Sequence, residues 1–173
     1  MLIHSRPFDH PDAVKLNDQV QLEYAERYGD EGDVTPLDPS MFMPPHGLYL
    51  IAYDERDRPV ATGGWRTQDR NAEGYWDGDA EIKRMFVIPE GRGRGLARRM
   101  LAALEEDARA AGRLRMVLET GDQQPEAIAL YTSSGYTVCE KFGHYREYES
   151  SICMAKPLQQ PGARTGPGGS NPA

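Results

Sequence analysis

Cysteine and histidine are scarce in this chain, two and four among 173 residues. Cys139 and Cys153 do not make a metal quartet with the scattered histidines, so neither zinc nor a structural disulfide is expected, and both cysteines read as reduced core residues. Long apolar runs are missing too. Nothing approaches the roughly 20 consecutive apolar residues of a membrane span, and Met1-Leu2-Ile3-His4-Ser5-Arg6-Pro7 lacks the apolar core of a signal peptide. The expectation is a cytoplasmic protein with no membrane partner. Positive charge is in short supply, with 20 Lys and Arg against 27 Asp and Glu for a net charge of −7. Only 83–115 is basic, with nine Lys or Arg against four acids; the rest has 11 against 23. Nucleic acid is therefore not an expected partner, because neutralising many phosphates needs a broad basic face. A local basic stretch in an acidic body suits one small polyanion docking there and a cationic acceptor elsewhere.

Residues 80–111 read as strand, tight turn and helix. Ala80 to Ile88 carries β-branched and aromatic residues over strand length, and Pro89 stops it. Gly91, Gly93 and Gly95 follow at alternate positions, separated by Arg92 and Arg94. Leu96, Met100, Leu104, Ala108 and Ala111 then recur at spacings of four or three, the apolar stripe of an amphipathic helix that Gly112 ends. A glycine turn feeding a helix N-terminus leaves main-chain N–H groups without partners, helped by the positive end of the helix dipole, and so suits phosphate. Spacing excludes two phosphate motifs. No Gly-Lys is followed by Ser or Thr, and the sixth position of a Gly-x-Gly-x-x-Gly fingerprint is Leu96 when counted from Gly91 and Arg98 when counted from Gly93.

Arg92-Gly93-Arg94-Gly95-Leu96-Ala97 resembles instead the pyrophosphate signature Arg/Gln-x-x-Gly-x-Gly/Ala of the GNAT superfamily of acetyl-CoA dependent N-acetyltransferases. Two further blocks support the resemblance, which covers about residues 47–156. Ala80 to Val87 is similar to that family's fourth strand, and Ala127-Ile128-Ala129-Leu130-Tyr131 with Gly135-Tyr136 to its second cofactor-contacting helix and the following turn. The resemblance implies an α/β (α+β) domain: a central mixed, mostly antiparallel twisted sheet of six to seven strands, strands 4 and 5 splayed, flanked by about four helices. It also implies acetyl-CoA as co-substrate, no metal, and an amine as acceptor.

Along the chain, a strand is expected within Leu2–Phe8 and a helix from about Pro11 to Tyr28, capped near Asp9 or His10, with Val14, Leu16, Val20, Leu22 and Tyr24 as an imperfect apolar face and Gly29 as its end. A loop or short helix spans Asp30 to Pro45. Gly47–Tyr53 and Pro59–Arg66 make a hairpin, in which Gly63 and Gly64 suggest a bulge or a close backbone approach. After Gly112 a strand ending near Thr120 lies parallel to the organising strand, since a strand, helix, strand unit is a right-handed crossover. A short helix starts at Pro125, and strands follow at Tyr136–Lys141 and Ser151–Lys156. The expected domain is 1–156, and the Pro- and Gly-rich tail 157–173 is expected to be disordered. A homodimer is the default assembly.

By the resemblance, main-chain groups of Met85, Phe86 and Val87 bond the pantetheine arm and the acetyl carbonyl, and amides between Arg92 and Arg98 (Gly93, Arg94, Gly95, Leu96 and Ala97 among them) hold the diphosphate. Gln124 stands where the family often has Asn. Tyr131 matches the tyrosine that reprotonates the departing thiolate; the alternative is a buried helix tyrosine. Glu81 is the candidate base, aligned with the catalytic glutamate of the histone-acetylating branch and sharing a face with Met85 and Val87 if no bulge intervenes; the alternative is a surface glutamate paired with Lys83 or Arg84. Glu23, Tyr24, Tyr28, Asp33 and Phe42 are weaker acceptor-site candidates. The implied reaction is direct acetyl transfer in a ternary complex to a small cationic amine. Alternatives are a protein lysine or N-terminal acetyltransferase, or a module that senses acetyl-CoA without transferring from it.

Overall fold

The computed structural model of the chain describes residues 1–29 and 32–159. Most of the tail expected to be disordered lies outside that range. The described part of it corrects the domain boundary, because Leu158 is 2% exposed and its N–H donates to the Leu114 carbonyl, so the packed core extends past Pro157.

Seven strands form one sheet: β1 (Leu2–Ser5), β2 (Gly47–Tyr53), β3 (Pro59–Gln68), β4 (Asp79–Val87), β5 (Arg115–Gly121), β6 (Thr137–Val138) and β7 (Ser151–Pro157). Their order is β1-β2-β3-β4-β5-β7-β6. Every pairing is antiparallel except β4 with β5, which run parallel and pair only over Asp79–Glu81 with Arg115–Val117. Beyond Glu81 the two strands part, leaving the splay that the resemblance implies. The expected strand 136–141 shortens to the two residues of β6.

Three α-helices, α1 (Pro11–Tyr28), α2 (Leu96–Ala110) and α3 (Pro125–Ser133), accompany 3-10 turns at Pro39–Phe42 and Pro89–Gly91. In α1 the His10 side chain accepts from the Asp12 N–H, Pro11 occupies the first turn where a missing donor costs nothing, and Gly29 closes the helix at φ 68°. Its buried face is Ala13, Leu16, Asn17 and Val20, one stripe at helical spacing. Val14 and Leu22, expected on that face, are exposed.

Gly63 and Gly64 show that the helices cover opposite faces. A Cβ on Gly63 would point at Met85 and at Leu104 of α2, whereas one on Gly64 would strike Tyr49 and Phe42, which lie with Asn17 of α1. Neighbouring strand residues face opposite ways. The same glycines sit opposite the expected irregularity, where register shifts so that Arg84 and Met85 together face Gly63, and Arg84 takes φ 61°. A left-handed φ is uncommon for a residue with a side chain and costs on the order of 1 kcal/mol.

A cleft between the splayed strands

Two cavities open along the splay. The larger, about 390 Å³, runs from the glycine turn past Tyr24 of α1, the end of β4 and Gln124. The smaller, about 60 Å³, is lined by Arg84, Leu118, Glu119, Thr120 and Tyr131. Tyr24, Met85, Gln124 and Ala127 belong to both walls, so the two form one path from the N-terminus of α2 to the gap between β4 and β5.

At the outer end, Gly93 and Gly95 have φ 81° and 72°, and nothing lies within 4 Å of where their Cβ atoms would be. From Gly93 to Arg98 no main-chain N–H has an acceptor among the described residues; the first helical bond is Arg99 N–H to Gly95 O. Six bare amides beneath open space at a helix N-terminus fit a diphosphate. Arg92 departs from the expectation. Its amide is already given to the Pro89 carbonyl, and its guanidinium donates to the Val87 carbonyl (3.0 Å) and to Glu23 (3.0 Å) while lying over the Phe86 ring. Arg98 links α2 to α3 by donating to Ser133 and Ser134, and Arg94 is exposed. The charge of these arginines rims the cradle, whereas its floor is backbone.

Ile88 N–H donates to Val60 O on β3. Alternate residues of an antiparallel strand turn their groups the other way, so Val87 turns its main chain towards the splay, its carbonyl taken by Arg92 and its N–H left without a partner among the described residues. Met85, Phe86 and Val87 all line the larger cavity.

Deeper in, Tyr131 is 6% exposed and meets Tyr136 edge-on at 5.7 Å between ring centroids. Burial, with a small contribution from Tyr24, pushes its pKa well up. Tyr24 is raised to about 12 by burial and by Asp33. Both therefore stay protonated near neutral pH. Tyr28 lies off the path, packed against Gly121 with its hydroxyl accepting from Gln124 Nε2 (3.4 Å). Phe42 is a core residue, 3% exposed, stacked on Phe8 and edge-on to Tyr49, and it lines neither cavity.

Glu81 also requires correction. The bulge at Arg84–Met85 breaks the assumed alternation, so Glu81 does not share a face with Met85 and Val87. Nor is it a surface glutamate. It is 3% exposed, accepting from Arg66 Nε (2.7 Å), Tyr75 Oη (2.7 Å) and Gln68 Nε2 (3.2 Å). A carboxylate holding three donors is a structural anchor rather than a poised base. Glu81→Gln is expected to lower unfolding free energy by about 2 kcal/mol, because Arg66 loses the counter-charge of a buried pair; urea denaturation at pH 7 measures it.

Asp33 is held against Lys83 and Arg84 of β4. Burial raises its pKa, but Lys83 (3.0 Å), the bonds from Thr35 and the Arg84 charge outweigh that and bring it to about 2. Its folded pKa is thus below the unfolded value of 3.8. The stability it contributes is complete above pH 4 and lost as pH falls towards 2. Acid titration of thermal stability should show a smaller drop between about pH 4 and 2 in Asp33→Asn than in the parent protein.

Sequence reasoning missed Glu119. It alternates with the core residues Met116 and Leu118, and so reads as a solvent-side residue of β5. Instead it is half-buried, and burial raises its pKa to about 7.

The model of the acetyltransferase (GNAT) family matches residues 14–136. The chain belongs to the GNAT family. Among relatives of this GNAT chain, an IAA acetyltransferase of Azospirillum brasilense is 46% identical over 81 residues, which are 47% of this chain and 53% of that protein, so the match spans about half of the relative's length. Among solved structures, a proposed acyl-CoA N-acyltransferase from Klebsiella pneumoniae superposes with a TM-score of 0.74 at 28% identity, covering 91% of this chain and 97% of that one. An aminoglycoside 6′-N-acetyltransferase complexed with coenzyme A reaches a TM-score of 0.67 over 93% and 99% of the two chains, and at 19% identity it speaks for the GNAT fold alone. Among the described residues no cluster of His, Cys, Asp or Glu could hold a metal ion, and no helix is long and apolar enough to cross a membrane.

Proposed function

We propose that this GNAT protein is an N-acetyltransferase that moves the acetyl group of acetyl-CoA to an amine by direct attack in a ternary complex. The observation carrying this reading is the path from six unbonded amides at 93–98 to Tyr131 in the wall of the inner cavity between β4 and β5. Acetyl-CoA supplies an activated acyl carbon on a thiol leaving group. The chain supplies the rest. Amides of Gly93 to Arg98 anchor the diphosphate, and the main chain of Val87 and its neighbours holds the arm as an added strand would. Tyr131, kept protonated by burial, donates its hydroxyl proton to the departing sulfur.

The acceptor reading is a small cationic amine. Its support is the negative surplus outside 83–115 and the acidic side chain of Glu119 in the wall of the inner cavity. Incubation with acetyl-CoA and a mixed amine library, followed by mass detection of products, tests it. Acetylated small amines with stoichiometric thiol release are expected. Acetylation only of added peptides would move the acceptor to a protein lysine or N-terminus, and acetyl-CoA binding with no thiol release would make the chain a sensor.

A further inference from the structure

Arg84 sits at the bulge of β4 with φ 61°, a backbone conformation that glycine takes freely and a residue with a side chain rarely takes. Its side chain is 7% exposed and lines the inner cavity together with Tyr24, Glu119, Thr120 and Tyr131. A buried guanidinium ordinarily gives most of its five N–H donors to acceptors. This one does not. Among the described residues its one hydrogen bond runs from Nη2 to the Asp33 carbonyl at 3.4 Å, and the buried Nε has no partner. The Asp33 carboxylate stands 3.7 Å from Nε, outside hydrogen-bond reach, while Lys83 holds the same carboxylate at 3.0 Å. Two cations thus share one acid. Of the other acids nearby, Glu81 is locked to Arg66, whereas Glu119 has no ion-pair partner among the described residues. One cavity wall therefore presents a guanidinium short of acceptors and a carboxylate short of cations.

We infer that Arg84 selects the acceptor by taking a carboxylate on it, so that the amine acetylated belongs to an amino acid or another small amino carboxylate. This rests on the transferase reading above and narrows its acceptor, keeping the ammonium and adding an anionic group. A guanidinium presents its donors in a planar fork that matches a carboxylate. Asp33 stays with Lys83, so a second carboxylate completes the bonding of Arg84 without breaking the shorter pair. Glu119, in the same wall, remains for the positive end of the substrate. A diamine would answer the acid and leave the buried guanidinium short of acceptors, and a simple carboxylic acid would do the reverse. A zwitterion answers both. Met85, the next residue along β4, lines both cavities, so a carboxylate held by Arg84 keeps the amine beside the path proposed for the acetyl-CoA arm. The inner cavity, about 60 Å³, suits a compact acceptor end.

The test measures kcat/KM with saturating acetyl-CoA on matched substrates: natural α-amino acids and short ω-amino acids, each beside its carboxamide and beside the amine lacking the carboxyl group. The parent is expected to prefer the acid over its carboxamide by about 100-fold. Arg84→Gln should cut kcat/KM for the acid by a similar factor, mostly through KM, and leave the slow carboxamide reaction within about threefold, a split that a merely structural role would not produce. Arg84→Lys keeps the charge without the fork and should retain an intermediate preference. An acetyl-CoA Kd within about threefold of the parent's shows that each variant is folded. The parent's own choice between acid and carboxamide needs no variant. Carboxamides or plain amines acetylated by the parent as well as the matching acids, or an acid preference intact in Arg84→Gln, overturn the assignment and leave the transferase reading standing. A parent that binds acetyl-CoA but releases no thiol with these substrates or with the amine library overturns both.

Discussion

Gly95→Val is expected to weaken acetyl-CoA binding about a thousandfold while leaving the fold in place. Gly95 is the residue just before α2 and has φ 72°. A β-branched side chain is a steric outlier there, costing roughly 1–2 kcal/mol in the left-handed region before any effect on the ligand. The backbone escapes by rotating, and rotation turns the amides of Arg94 to Ala97 away from their common focus. The penalty thus falls on the cradle more than on the core, because no neighbour lies within 4 Å of the Gly95 Cβ position. Gly95→Asn is the matched control. Asn tolerates the left-handed conformation through its short polar side chain, and open space receives it, so its Kd should remain within about tenfold. Calorimetry with acetyl-CoA on protein shown to be folded by circular dichroism decides between them. Equal heats and Kd values for Gly95→Val and the parent would mean that the diphosphate is held elsewhere.

Tyr131→Phe is expected to reduce kcat by about a thousandfold, within the range for loss of a positioned proton donor, with the acetyl-CoA Kd unchanged within threefold. Phe keeps the ring that packs edge-on against Tyr136, so thermal stability should hardly move. What disappears is one hydroxyl from a residue that lines the inner cavity. Because burial pushes the Tyr131 pKa upward, the group is protonated across the working range, and its loss should lower the whole pH–rate profile without moving an inflection. Parent-level turnover in Tyr131→Phe would assign the sulfur's proton to water.

Glu119 links stability to pH. The folded pKa of Glu119, about 7, is above its ordinary 4.5. The folded state therefore holds more protons than the unfolded chain between those values, and stability falls as pH rises through that window. Above pH 7 the cost is on the order of 2 kcal/mol after allowance for partial exposure.

The local devices were legible in the sequence because the residues that make them are neighbours in the chain. A glycine turn, a helix with its stripe, His10 before Pro11 and Gly29 after Tyr28 all act over a few residues, and their φ values and caps follow from side-chain chemistry. The parallel return of β5 follows from chain length and handedness, and even the irregularity near Gly63 and Gly64 was announced by missing side chains. The roles of the carboxylates were not legible, because each depends on what stands opposite. Arg66 reaches Glu81 from β3, Lys83 and Arg84 hold Asp33 from β4, and the Gly143 segment arrives over Glu119 only when β7 pairs with β5. Period-two alternation tells which side of a strand a residue faces, but not whether water, an arginine or another loop is waiting there, and one bulge at Arg84 reverses even that. The sequence by itself thus determined the scaffold and the anion cradle. Which acid is bound and which is free was decided by the tertiary structure, since charge and desolvation act through space between groups far apart along the chain.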